Sequence, residues 1–147
     1  MSKNPFVGSW TYRSFLNDPD ISKDVDKLLF GEGTIVINKE NSEELLTGTI
    51  GGTGWGPLYL HGSRSYGSPM QVRFQGKGLQ HGEEWVYDYI GWLVPTWPNS
   101  NETLQVDAIV GSVVRTVPHS SSDSKAKGPK AVEPAGVVAS FYAVRSS

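Results

Sequence analysis

Eight stretches of this chain alternate their side chains with the two-residue period of a β-strand, and none of ten residues carries a convincing helical period. The stretches run Pro5 to Phe15, Gly33 to Lys39, Leu45 to Ile50, Gly56 to Ser63, Pro69 to Gln75, Glu84 to Val94, Gln105 to Val117 and Gly136 to Val144. Short turn signals separate most of them: Glu40-Asn41-Ser42-Glu43, Gly51-Gly52-Thr53-Gly54, Gly76-Lys77-Gly78 with His81-Gly82, and Asn99-Ser100-Asn101. Two connections are longer. Leu16 to Lys27 breaks the alternation at Asn17-Asp18-Pro19-Asp20, with a weak helical turn over Ser22 to Leu28. A Ser/Lys/Pro-rich stretch at about 118–135 reads as a mobile loop. Sequential antiparallel strands joined this way predict one all-β domain over residues 1–147, an eight-stranded up-and-down barrel. Closure removes the edges that eight open strands would expose. A two-sheet sandwich is the alternative, because alternation does not prove closure.

Composition narrows the function classes. The 147 residues are long enough to bury a core, and 19% charged residues with a formal net charge of −2 give no bias toward nucleic acid or an anionic membrane. No apolar run approaches the ~18–20 residues of a spanning helix, and no apolar signal core follows Met1-Ser2-Lys3-Asn4-Pro5. The chain has no cysteine, which removes disulfides, thiolate metal sites and a cysteine nucleophile. A cytoplasmic location fits these features. Three scattered histidines, His61, His81 and His119, do not make a metal site. Asp18-x-Asp20-x-Ser22 fails as a calcium loop, because Lys23 stands where Gly is needed and Leu29 where Glu is needed. Gly52-x-Gly54-x-Gly56 has no helix after it to bind a phosphate. No cofactor is expected.

The densest cluster of rings is Glu84-Trp85-Val86-Tyr87-Asp88-Tyr89-Ile90-Gly91-Trp92-Leu93-Val94. Trp85, Tyr87 and Tyr89 share one face; Val86, Asp88, Ile90 and Trp92 share the other. One face must point inward, as ordinary core or as the lining of a ligand site. Arg115 follows Ile109, Gly111 and Val113 on one strand face, so Asp88 and Arg115 are candidates for a buried ion pair. Arg73, between Gln71 and Gln75, reads as solvated.

Gly8-Ser9-Trp10 opens the first strand, Tyr87-Asp88-Tyr89 falls mid-chain, and Arg115 comes later. In these residues the chain resembles the calycin superfamily, the lipocalins and avidins, whose first strand opens with Gly-x-Trp. Lipocalins also carry Thr-Asp-Tyr, where Tyr87 stands for Thr here, and a later Arg that packs over the Trp. The resemblance implies that Trp10 plugs the closed end and Arg115 covers it. It names no ligand. Independently, a glycine beside Trp10 would let the indole lie across a crowded barrel end.

Three functions follow. The first is a barrel that binds a small, largely apolar or aromatic molecule. Phe74, Trp85, Tyr87, Tyr89 and Phe141 would be its walls, and Tyr12, His61, Asp88 and Arg115 its polar anchors. The second is a cofactor-independent cyclase or isomerase, with Asp88 or His61 as acid or base and Arg115 or a Tyr stabilising negative charge. The third is an interaction module or homodimer, suggested by Trp55, Trp92 and Trp97 near turns and strand ends.

Overall fold

The computed structural model describes residues 4–96, 105–120 and 132–147. Among them the chain closes into an eight-stranded antiparallel barrel. Its strands are β1 (Gly8–Leu16), β2 (Leu29–Ile37), β3 (Leu45–Gly52), β4 (Trp55–Arg64), β5 (Gln71–Gln80), β6 (Glu83–Val94), β7 (Ala108–Arg115) and β10 (Val138–Arg145). Each pairs with its neighbour in the chain, and β1 pairs with β10 to close the ring, so the sandwich alternative is excluded. Between β7 and β10, β8 (His119–Ser120) and β9 (Val132–Glu133) form a separate two-stranded ladder. Trp97, the turn at Asn99-Ser100-Asn101 and the middle of the expected mobile loop lie outside the described residues. The helical turn expected near Ser22 is a single 3-10 turn, Val25–Leu28, which Asp24 caps by accepting from the Asp26 amide.

Three strands differ most from their sequence reading. β2 starts four residues before Gly33 and pairs Leu29 with Phe15 across a bulge in which Phe30 of β2 is the extra residue. β7 is shorter than Gln105 to Val117. β5 runs on to Gln80, so Gly76-Lys77-Gly78 is strand and the turn is His81-Gly82, with φ of 53° and 81°. The inward glycines of β5 leave room for opposing side chains. A Cβ on Gly76 would meet Ile50 Cδ1 at 3.1 Å, and one on Gly78 would meet Leu58 Cδ2 at 3.2 Å.

The lower half of the barrel is solid. Phe6, Trp10, Ile35, Ile37, Leu46, Leu60 and Ile109 are fully or almost fully buried there, each stabilising the fold by roughly 1.5–3 kcal/mol. Trp10 donates its indole N–H to the Phe6 carbonyl at 2.9 Å. The arginine covering it is Arg145, not Arg115: the Arg145 guanidinium carbon lies 4.3 Å from the Trp10 ring centre. Arg145 also donates to the carbonyls of Val7 (2.9 Å) and Pro5, and pairs with Asp107 at 3.7 Å. The register explains the difference, because β1 sets Trp10 directly opposite Arg145. Gly8 serves this cap rather than the indole. At its φ of 134°, a Cβ would sit 2.7 Å from the Arg145 guanidinium and 2.6 Å from the Ser147 carbonyl.

Candidate functional site

Above the solid half lies a layer of four rings. Tyr12 meets Tyr89 edge-on at 5.8 Å and Phe141 at 5.8 Å, while Phe74 stacks on Tyr89 at 4.8 Å and Phe141 meets it edge-on at 5.5 Å. The hydroxyls are satisfied locally: Tyr12 donates to Ser14 Oγ at 2.7 Å, and Ser14 donates to the Gly31 carbonyl at 3.3 Å. Burial pushes the Tyr12 hydroxyl up to about 12, and raises Tyr89 well above its ordinary value. Both phenols are therefore neutral, and the layer floors what lies above.

What lies above is a cavity of about 410 Å³. That falls within the roughly 300–1,000 Å³ of small-molecule sites. Tyr12 and Tyr89 form its base, and Leu16, Leu29, Phe30, Trp55 and Trp85 supply apolar wall. Trp55 is held by its indole N–H on the Glu32 carbonyl at 3.2 Å. Trp85 stacks on the His119 ring, 4.1 Å between centres. Its own indole nitrogen is buried and has no hydrogen-bond partner among the described residues.

One side of the wall is polar. His119 Nδ1 lies 2.9 Å from the Ser120 carbonyl, an acceptor only, so Nδ1 carries the proton. Nε2 then accepts from the Tyr87 hydroxyl at 2.6 Å. Arg115 Nε in turn donates to the Tyr87 oxygen at 3.4 Å. Burial pushes the Tyr87 hydroxyl up, and the adjacent Arg115 guanidinium only partly offsets it. Arg115 is itself buried. It lies 4.9 Å above the Phe30 ring, donates to the Pro134 carbonyl at 3.2 Å, and sits 3.8 Å from the Glu133 carboxylate. Glu83 accepts from the Ser120 amide and hydroxyl, tethering β8 against the barrel mouth.

The expected site residues divide cleanly. Tyr12, Trp85, Tyr87, Tyr89 and Arg115 all reach the cavity wall, whereas Phe74 and Phe141 support the ring layer without lining it. Asp88 and His61 are corrected outright, because both stand exposed on the outer wall. Asp88 accepts from Gln75 Nε2 at 3.0 Å across the β5–β6 pair, and His61 stacks on Tyr59. The strand period explains this, since Asp88 lies between inward Tyr87 and Tyr89, and His61 lies between inward Leu60 and Gly62's close approach to Phe74. The Asp88–Arg115 pair does not form; Arg115 meets Tyr87 and Glu133 instead. Of the three candidate interface indoles, Trp55 belongs to the cavity and Trp92 lies on the outer wall opposite Val110.

Sequence reading missed His119, Phe30, Trp55 as a lining residue, and Glu133. For His119 a signal existed: Arg115, Val117 and His119 continue one period-two face into the supposed loop. Among the described residues, no group of acidic or histidine side chains is placed to hold a metal ion, and Asp18 is instead paired to Lys23 at 2.7 Å. No helix among them is long and apolar enough to cross a membrane. No family model, curated protein or solved structure matches the chain.

Proposed function

We propose that the barrel binds a small, largely apolar or aromatic molecule in the cavity at its open end. The observation that carries this reading is the pairing of a solid lower half with a hollow upper half. Above the Tyr12/Tyr89 floor, rings and leucines line a volume of about 410 Å³ with one polar side. Titration with the neutral dye N-phenyl-1-naphthylamine tests it. Saturable fluorescence enhancement with one site per chain is the expected result, weakened by Trp85→Ala. A linear, unsaturable response in the native protein contradicts it.

A cyclase or isomerase in the same cavity would have to draw on Tyr87, His119 or Glu133, because Asp88 and His61 face away. Binding is the better reading. The cavity's phenols are kept neutral by burial, and the Tyr12 and Tyr87 hydroxyls are already committed to Ser14 and His119. These groups orient a ligand edge more readily than they exchange protons with it.

A further inference from the structure

Arg115 carries more hydrogen-bonding capacity than its surroundings use. A guanidinium presents five N–H groups in a planar fork. Only two find acceptors among the described residues, Nε on the Tyr87 oxygen and one terminal nitrogen on the Pro134 carbonyl. The nearby carboxylate of Glu133 stands off at 3.8 Å, within Coulomb range but beyond hydrogen-bonding distance. The two charges are also unequally placed. The Arg115 side chain is 8% exposed, whereas that of Glu133 is 41% exposed on the two-residue strand β9. A buried cation held loosely by a half-solvated anion, on the wall of an apolar cavity, is set up for exchange of the anion.

From this we infer that the cavity's ligand is an aromatic or apolar carboxylic acid, bound as its anion, whose carboxylate replaces Glu133 at Arg115. This rests on the binding function proposed above and adds the class of ligand. The apolar body would lie against Trp85, Trp55 and Leu29, over the Tyr12/Tyr89 floor. Its carboxylate would take the unused part of the fork, where a planar anion can accept two parallel N–H bonds. Tyr87, its hydroxyl pushed up by burial, stays neutral beside the fork and adds no competing negative charge. Glu133 then acts as a built-in competitor, so anion affinity is set by what the ligand gains over it.

Calorimetry with 1-naphthoate and its neutral isostere 1-naphthamide, at near-neutral pH, separates the possibilities. The native chain is expected to bind the acid at least about ten-fold more tightly than the amide, as a charge-assisted bidentate contact requires. Arg115→Gln should abolish that preference while amide binding persists. Glu133→Gln should strengthen acid binding several-fold and change amide binding much less. Equal affinity for acid and amide in the native chain overturns the inference but leaves the binding function standing. Unchanged acid affinity in Glu133→Gln overturns the exchange. Failure of both probes to bind the native chain defeats the binding function itself, and this inference with it. Should Arg115→Gln lose the amide as well, the Glu133 variant, altered only at a half-exposed side chain, decides.

Discussion

Arg115 and Arg145 are the same residue type at similar places in their strands, yet they do opposite work. Arg145 seals the solid end over Trp10, and Arg115 lines the hollow end beside Tyr87. Arg145→Ala should therefore lower stability by about 1–3 kcal/mol, through loss of the cation–ring contact and of hydrogen bonds to Val7 and Pro5, with dye binding unchanged. Urea denaturation beside a dye titration checks this; altered binding with intact stability would contradict it. Tyr12 gives a second prediction. Its hydroxyl titrates at about 12 in the fold against an ordinary value of 10.0. Above pH 10 the unfolded chain sheds this proton before the folded one, so stability is fully present below about 10 and falls as pH rises toward 12. The loss reaches about 3 kcal/mol from this residue. Tyr12→Phe should lessen that alkaline limb, leaving the part due to Tyr87 and Tyr89, and an unchanged limb would mean that Tyr12 does not contribute to it. How legible were these roles? Arg145 continues the Phe141–Ala143 face by the same period-two rule, but the last strand was read as ending at Val144, one residue short. Alternation puts Trp85, Tyr87 and Tyr89 on one face but does not say whether that face points in; the structure turns it inward.

The elements show why some boundaries escaped a reading from sequence. Glycine signals turns when it supplies a positive φ, as Gly82 does at 81°. It also occurs inside barrel strands where a facing chain comes too close for a side chain, and composition cannot tell the two uses apart. Gly76 and Gly78 are the second kind, so β5 was cut short at Gln75. Gly111 is a severe case: its Cβ would lie 1.9 Å from the Ile90 carbonyl oxygen across the β6–β7 pair. At Gly76 the nearest atom is the movable end of Ile50. Gly111→Ala should thus cost at least about 2 kcal/mol and Gly76→Ala clearly less, since a methyl tip gives way where a strand backbone does not. Thermal melts of the two variants rank them, and the reverse order would contradict this account of the barrel's close contacts. The β8–β9 ladder had no such local signal. Its two-residue strands are placed by long-range partners, Glu83 and Arg115, that alternation within the segment does not encode.

At the scale of the molecule, closure is what makes a site. The first and last strands meet along Trp10 to Leu16 and Ala139 to Arg145, and the chain ends hydrogen-bond through Ser9 to Ser146 and Ser147. That seam leaves the ring of eight strands no open edge, and side-chain packing then leaves the closed interior with a plugged half and a hollow one. The eight-strand count and the antiparallel order were legible because turn signals and alternation agreed nearly everywhere, whereas closure was not, since the same pattern also fits a two-sheet sandwich. Which half would be empty was not, because it depends on which inward positions carry large side chains opposite one another. Phe6, Trp10 and Ile37 crowd one end, while the other end relies on residues from β8 and β9 to finish its wall. The most direct measurement is a crystal structure of the protein soaked with 4-iodobenzoate, the iodine located by its anomalous signal. The account predicts a single iodine position inside the barrel, above the Tyr12 and Tyr89 rings, with the carboxylate at Arg115. Iodine found only on the outer wall, or a cavity already filled by the protein's own side chains, would contradict it.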